Sequence, residues 1–165
     1  MSDINLNIGC GGHRIKDYIG IDLYPQRGVD VVAPAHDLPY DAGTVSHIYT
    51  QHMVEHLSPR IFNLALIEWH RVLKLNAKLT IRCPNFEYWV RNWLDAPDSE
   101  RWPHLIHSII GNADRGDGHL TRNAFTPNRL RQVINGELFT VTECHTMPSR
   151  YGVEGADCWC EAKKI

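Results

Sequence analysis

The sequence has no long apolar run, no internal repeat and no low-complexity tract. None of its apolar stretches approaches the ~20 residues that a membrane-spanning helix requires. Its first residues, MSDINLNIG, lack the basic and then apolar pattern of a secretory signal. With 165 residues, of which 43% are hydrophobic, the chain can bury a core of its own. We therefore expect one globular domain over residues 1–165, a cytoplasmic location and no membrane partner.

The sequence also has few cysteines and a small net charge. The cysteines number 5, an odd count for a disulfide framework, and only Cys158 and Cys160 lie close together in the sequence. Reduced thiols are expected, and packing explains this pair better than zinc, because a second Cys or His pair at finger-like spacing is missing. A formal net charge of −2 gives no overall attraction to nucleic acid, so a nucleic-acid partner is not expected.

Strand-like and helix-like segments alternate along the chain. Short β-branched runs bounded by Gly, Pro or Asp predict strands at 4–8, 18–23, 29–32, 45–50, 79–83, 139–144 and 157–162. The predicted helices start at Pro59 after the N-cap Ser58 and end near Asn76, cover 86–94, and start at Pro127 after the N-cap Thr126. Residues 97–125 precede the last helix and are expected to form a substrate cap. This alternation indicates an α/β fold with a mainly parallel sheet.

The strongest chemical signal is the turn Gly9-Cys10-Gly11-Gly12, directly after the first strand. Glycines at this point let the backbone approach a ligand that a side chain would block. The second strand ends at Asp22, where an acidic side chain can accept both hydroxyls of a ribose. Together the turn and the acid predict a nucleoside-type ligand. They leave open which one, because a nicotinamide-binding fold uses the same strand, turn and acid.

The spacing of the glycines disfavours a nicotinamide cofactor. A G-x-G-x-x-G pattern would need a third glycine where this chain has Arg14. A nicotinamide-binding fold also opens a full helix after the turn to hold the pyrophosphate. Only about nine residues separate the first two predicted strands, which is too few for that helix. The pyrophosphate site is therefore expected to be missing.

Four motifs, LNIGCGG, IGIDL, DLPY and EHL, occur in this order and resemble class I S-adenosylmethionine-dependent methyltransferases of the compact branch. The resemblance spans nearly the whole chain. It implies a Rossmann-like, mainly parallel seven-stranded sheet with the last strand antiparallel. The connections after the first and second strands are too short for the usual helices, so these helices are expected to be reduced. We expect a second copy of the chain to cover the sheet face that is left open.

The same resemblance assigns cofactor roles. The glycine turn would wrap the methionine part of S-adenosylmethionine, Asp22 would hold the ribose, and Asp37 would meet the adenine amine. Asn7 stands where the family usually has an acidic residue, so a neutral amide would support the ammonium group. Thr50 or Gln51 would approach the methionyl amine. The cofactor-binding residues implied are Asn7, Gly9, Cys10, Gly11, Asp22, Leu23, Asp37, Leu38 and Gln51.

The implied activity is transfer of a methyl group from S-adenosylmethionine to an oxygen or nitrogen of a small-molecule acceptor. The sulfonium already activates the methyl group, so the enzyme mainly aligns the acceptor with it. A general base is needed only for some acceptors, and its candidates are His52, Glu55, His56 and His119. His52 is also assigned to substrate binding. The alternatives are a supporting role for Glu55 and His56 at the start of the Ser58 helix, and simple exposure for His119.

The stretch 101–131 is locally basic. It contains only two acidic residues, Asp114 and Asp117, against Arg101, Arg115, Arg122, Arg129 and Arg131. Arg115 and Arg122 are the candidates for binding an anionic or sugar-like acceptor, because arginine suits bidentate contacts with carboxylate or phosphate. A solvated helical surface is the alternative.

Two rival functions stay open. The string His52-Met53-Val54-Glu55-His56 matches H-x-x-E-H, the inverted zinc-peptidase motif. Ser58 and Pro59 start a new helix immediately afterwards, so we attribute the match to chance and expect no metal. The other rival is a module that binds S-adenosylmethionine or a related nucleoside without catalysis, on the same fold and with the same cofactor residues.

Overall fold

The structure, a computed structural model, describes residues 3–112, 114 and 117–165. One sheet contains the strands β1 Ile4–Ile8, β2 Ile19–Asp22, β3 Val31–Val32, β4 Val45–Gln51, β5 Leu73–Pro84, β6 Phe139–Met147 and β7 Asp157–Lys164. Their order is β3-β2-β1-β4-β5-β7-β6. Neighbouring strands from β3 to β5 are parallel, and β7 is antiparallel to β5 and β6. The predicted Rossmann-like sheet with an antiparallel last strand is confirmed.

The helices of the described residues are α1 Pro59–Val72, α2 Phe86–Asp95, α3 Asp98–Glu100, α4 His107–Ile110 and α5 Pro127–Ile134. Short helical turns occupy Val54–His56, Arg101–Leu105 and Asp117–His119. Both predicted N-caps form. The Ser58 hydroxyl accepts a hydrogen bond from the Ile61 N–H at 3.4 Å, and the Thr126 hydroxyl accepts one from the Arg129 N–H at 3.2 Å. Within the same described residues, none of the helices has the length and apolar character needed to cross a membrane.

The end of α1 differs from its prediction. The helix ends at Val72 and not near Asn76, because Leu73 already pairs with β4 in the sheet. The pairing with β4 then moves on to Lys78, so residues 74–77 bulge out of the ladder. Asn76 lies in this bulge at φ 62, in the left-handed region that asparagine tolerates. The predicted backbone state of Asn76 is therefore present, but in a strand bulge instead of a helix cap.

The main core lies on the face of the sheet covered by α1 and α5. Phe62 and Trp69 of α1 are fully buried there, and the Phe62 ring packs against the Phe125 ring with centroids 5.3 Å apart. The Trp69 indole N–H donates to the Ala35 carbonyl at 2.8 Å. This bond ties α1 to the segment after β3, on the far side of the glycine turn.

The opposite face of the sheet has less cover. Residues 9–18 and 23–30, which follow β1 and β2, form turns, so the expected reduction of these helices is confirmed. Tyr18, His47, Tyr49 and Trp159 lie half-buried in one row on this face, which we call the open face. The Tyr18 ring packs against His47 and Tyr49, and Tyr49 packs against Trp159, with ring centroids 5.5 to 6.4 Å apart.

Residues 120–125 of the expected cap lie over the carboxyl ends of β4 and β5. Phe125 pairs with Asn85, directly after β5. The Arg122 N–H donates to the carbonyl of Glu55, in the turn after β4, at 2.8 Å. The end of the cap is thus bound to the turn after β4, which contains the candidates Glu55 and His56, and to the residue after β5.

Candidate functional site

The glycine turn follows β1 and is held against β2. The N–H groups of Gly9 and Cys10 both donate to the Ile21 carbonyl, at 2.8 and 3.1 Å. Gly9 and Gly11 have φ values of 69 and 52, in the left-handed region where glycine carries no steric penalty. A Cβ atom on Gly9 would also overlap the Met53 side chain, which follows β4. The turn is therefore a tight backbone surface between the ends of β2 and β4.

Asp22 is joined directly to this turn. One carboxylate oxygen, Oδ2, accepts the Gly11 N–H at 2.8 Å, and the other accepts the Tyr24 N–H at 3.3 Å. Each oxygen keeps a lone pair for another donor. The adjacent Leu23 is 55% exposed, which leaves an accessible apolar surface beside the carboxylate. Turn, acid and apolar surface lie together, as the sequence predicts for a nucleoside site.

The buried side chains of Asn7 and Cys10 support the glycine turn. Asn7 is buried, and its side-chain amide donates to the His13 carbonyl at 3.1 Å, fixing the far end of the turn. The Cys10 side chain is buried as well. Burial, reinforced by the charge of Asp22, raises the pKa of the Cys10 thiol to about 11, so the thiol stays protonated at neutral pH. Only the backbone of Cys10 is placed to meet a ligand.

Asp37 and Leu38 lie in a turn after β3. Asp37 is exposed, whereas Leu38 is buried and its N–H donates to the Glu68 carboxylate of α1 at 2.8 Å. Arg71 pairs with the same carboxylate, and its guanidinium also donates to the Leu38 carbonyl at 3.3 Å. The sequence reading missed this anchor. The backbone of Leu38 is committed to α1, which leaves its neighbour Asp37 as the free polar group.

A charged cluster lies at the end of β4. His52 follows the strand at φ 51, and its Nε2 lies 3.0 Å from Asp157 Oδ2. Arg82 Nε donates to the same Asp157 oxygen at 2.7 Å. On its other side, His52 Nδ1 lies 3.7 Å from Glu55 Oε1. Arg82 and Asp157 come from β5 and β7, and the sequence reading missed both, because only the sheet order brings them to His52.

Glu55, like Asp157, is a buried member of this cluster. Burial raises its pKa to about 7, against the lowering effect of the nearby His52. Its Oε2 atom is buried without a hydrogen-bond partner among the residues that the structure describes. The Thr50 hydroxyl is likewise buried and unpartnered, whereas Gln51 accepts a hydrogen bond from the Tyr49 hydroxyl at 2.8 Å. Glu55 can therefore hold or release a proton near neutral pH.

His56 and His119 lie on the cap side of the candidate site. The His56 and His119 rings pack edge to face, with their centroids 5.9 Å apart. The Nδ1 of His56 donates to the Leu120 carbonyl at 3.1 Å. Burial lowers the pKa of His56, so this ring is neutral at pH 7. His119 is exposed. The Arg122 guanidinium donates to the His56 carbonyl at 3.3 Å, while the predicted substrate residue Arg115 lies outside the described residues.

The H-x-x-E-H string spans the end of β4 and the short turn Val54–His56. A zinc peptidase needs this motif on one long helix, so that its histidines lie one helical turn apart on the same face. The structure does not provide that helix. His52 instead points towards Asp157 and His56 towards the cap.

Solved structures with the same fold include several at 13 to 17% sequence identity. An S-adenosylmethionine-dependent methyltransferase from Methanosarcina mazei has a TM-score of 0.67 and 17% identity, over 99% of this chain and 93% of its own. One from Archaeoglobus fulgidus has a TM-score of 0.64 and 16% identity, over 98% and 86%. The 1,6-didemethyltoxoflavin-N1-methyltransferase of Burkholderia thailandensis, solved with its substrate and S-adenosylhomocysteine, has a TM-score of 0.66 and 15% identity, over 98% and 71%. No family model matches this chain, and neither does any curated protein.

The raised pKa of Glu55 predicts that the free energy of unfolding differs between the wild type and Glu55→Gln, by an amount that depends on pH. The carboxyl has a pKa of 4.5 when unfolded and about 7 when folded, so the folded state binds more protons between these values. The stability contributed by the protonated form is complete below pH 4.5 and is lost as the pH rises through 7. Glu55→Gln should therefore match the wild type near pH 4.5 and exceed it by roughly 3 kcal/mol at pH 8. Urea unfolding of both proteins at these two pH values measures the difference, and a pH-independent difference would contradict the assignment.

Proposed function

Since this chain has the class I S-adenosylmethionine-dependent methyltransferase fold, we propose that it is an enzyme that transfers the methyl group of S-adenosylmethionine to an oxygen or nitrogen of a small-molecule acceptor. The observation that carries this proposal is the hydrogen bond from the Gly11 N–H to Asp22 at 2.8 Å. This bond holds the Asp22 carboxylate beside the backbone of the glycine turn, which supports a ribose site at this point.

In this proposal the cofactor lies across the carboxyl ends of β2, β1 and β4. The turn from Gly9 to Gly11 wraps its methionine part, with Asn7 supporting the turn. The free lone pairs of Asp22 accept the ribose hydroxyls, next to the exposed Leu23. Asp37 accepts a hydrogen bond from the adenine amine, and Leu38 contributes by holding the Asp37 turn against α1. Gln51 approaches the methionyl amine.

The residues at the end of β4 supply proton transfer. The bound cofactor supplies a methyl group that its sulfonium already activates, so alignment of the acceptor is the main requirement. Asp157 accepts the Nε2 proton of His52 and thereby leaves Nδ1 free to take a proton from the acceptor. Arg82 donates to the same Asp157 oxygen and holds it beside His52, and Glu55 receives or shares the proton. His56 and His119 hold His52 and Glu55 in position from the side of the cap.

The segment 97–125 acts as the substrate cap in this proposal. Its last part is bonded to Glu55, and the short turn Asp117–His119 brings His119 onto His56. A Cβ atom on Gly118 would lie 3.6 Å from the ring of Tyr24, which follows β2. The cap therefore reaches from the candidate base to the cofactor side of the site, where it can exclude water from the reaction.

His52→Gln should separate catalysis from binding. With S-adenosylmethionine and a panel of hydroxylated and amine metabolites, including sugar derivatives, the wild type should form S-adenosylhomocysteine. His52→Gln should lower kcat by roughly 100-fold or more, because general-base catalysis contributes about that much, and leave KM for the cofactor unchanged. His145→Gln, at an exposed histidine of β6, is the matched control. Wild-type kcat in His52→Gln would remove His52 from the reaction, and cofactor binding with no product from any acceptor would favour the non-catalytic module.

We propose a homodimer through the open face. Tyr18, Tyr49 and Trp159 present aromatic surface there, at the place where the reduced helices leave the sheet with less cover. Two of the charges beside them, Lys78 and Glu161, form an ion pair at 3.0 Å within the chain. A face rich in aromatic rings suits a second copy of itself better than a strongly charged partner.

Light scattering after size exclusion tests the dimer. The mass should be close to twice the 18.9 kDa of one chain at micromolar concentration. Trp159→Lys should return the mass to that of one chain, whereas Trp102→Lys, at a 57% exposed tryptophan of the cap, should leave the dimer intact. A wild-type protein with the mass of a single chain would refute this assembly.

A further inference from the structure

A cavity of about 390 Å³ lies beside the candidate catalytic cluster, between the starts of α1 and α2 and the residues leading into α5. Its walls include the aromatic rings of Phe86 and Phe125 and the side chains of Arg122 and Arg129. This volume falls within the range of small-molecule sites, which combine mostly apolar walls with a few polar groups.

The two arginines are available to a ligand. Both are exposed, and neither forms an ion pair with any carboxylate in the part of the chain that the structure describes. Each guanidinium makes one long hydrogen bond, from Arg122 to the His56 carbonyl and from Arg129 to the Asn123 side chain, both at 3.3 Å. Asn123 is buried, so it fixes Arg129 in place. Most of the five N–H donors of each guanidinium remain unused.

A second space lies beside the cavity and next to Glu55. This narrow space of about 10 Å³, room for a single water molecule, has Glu55 in its wall and shares Phe86, Asn123 and Phe125 with the large cavity. The unpartnered Oε2 atom of Glu55 is buried. The two arginines and Glu55 therefore line two neighbouring spaces that share Phe86 and Phe125.

We propose that the methyl acceptor is an organic acid, whose carboxylate or phosphate binds between Arg122 and Arg129 and whose apolar body lies against Phe86. This inference rests on the proposed methyl transfer. Arg129 is new in this role, and it replaces Arg115 as the partner of Arg122. Paired guanidinium groups bind planar or tetrahedral anions through parallel N–H bonds, and the aromatic wall favours an acid attached to a ring.

Titration calorimetry of the protein saturated with S-adenosylhomocysteine tests the anion site directly. Phenyl phosphate and benzoate are the anionic compounds, and phenol is the neutral compound of the same ring size. At least one of the two anions should bind at least tenfold more tightly than phenol, and the tighter of them tells phosphate from carboxylate. Arg122→Gln and Arg129→Gln should each weaken that anion at least tenfold. Arg131→Gln, on the same helix as Arg129 but donating to the Cys144 carbonyl at 3.5 Å, should not.

The outcomes separate the two proposals. Equal binding of phenol and both anions, or unchanged affinity in Arg129→Gln, overturns the organic-acid inference. Inorganic phosphate that binds as tightly as phenyl phosphate overturns the role of the aromatic wall. Because Arg122 and Arg129 are exposed, all variants should keep the unfolding temperature and the S-adenosylhomocysteine affinity of the wild type. If the wild type fails to bind S-adenosylhomocysteine, the proposed function fails, and the same titrations without it still decide the anion site.

Discussion

The hydrogen bond between the Gly11 N–H and the Asp22 carboxylate joins the ends of β1 and β2, and the geometry of the candidate site depends on it. The bond needs Gly11 in the left-handed region and Gly9 packed without a side chain against Met53. It also needs β2 directly beside β1, which the sheet order provides. Glycine turn, carboxylate and the end of β4 are thereby held in one place by backbone geometry, with little reliance on flexible side chains.

The same sheet order explains how a chain of 165 residues combines two chemical environments. On one side of β4 lie the backbone surface and the carboxylate suited to a nucleoside. On the other side, β5 and β7 bring Arg82 and Asp157 beneath His52, and the buried Glu55 completes the cluster. Residues 120–125 are bonded to the turn after β4 and to Asn85, so this segment and the candidate acid–base residues share one support.

Sequence patterns predicted much of the fold and part of the candidate site. The difference between the features that were predicted and those that were not has a physical cause. Strand periodicity, the caps Ser58 and Thr126 and the glycine turn are local signals, and each predicted the element that the structure contains. The predicted end of α1 was wrong. Leu73 pairs with β4, and this pairing overrides the helical spacing of apolar residues that continues past Leu73. Arg82, Asp157, Glu68 and Arg129 were not assigned, since each meets its partners only through contacts between distant segments. Their sequence neighbourhoods are those of ordinary strand and helix residues.

The central claim is that the Gly9 to Gly12 turn and Asp22 hold S-adenosylmethionine. Calorimetry with S-adenosylmethionine, S-adenosylhomocysteine and a nicotinamide dinucleotide tests it most directly, on the wild type, on Asp22→Ala and on the control Glu154→Ala at an exposed loop residue. The wild type and the control should bind both adenosyl compounds and not the dinucleotide. Asp22→Ala should weaken adenosyl binding on the order of 100-fold, the loss expected for hydrogen bonds to a charged group. Undiminished binding by Asp22→Ala, or preference of the wild type for the dinucleotide, would contradict the account.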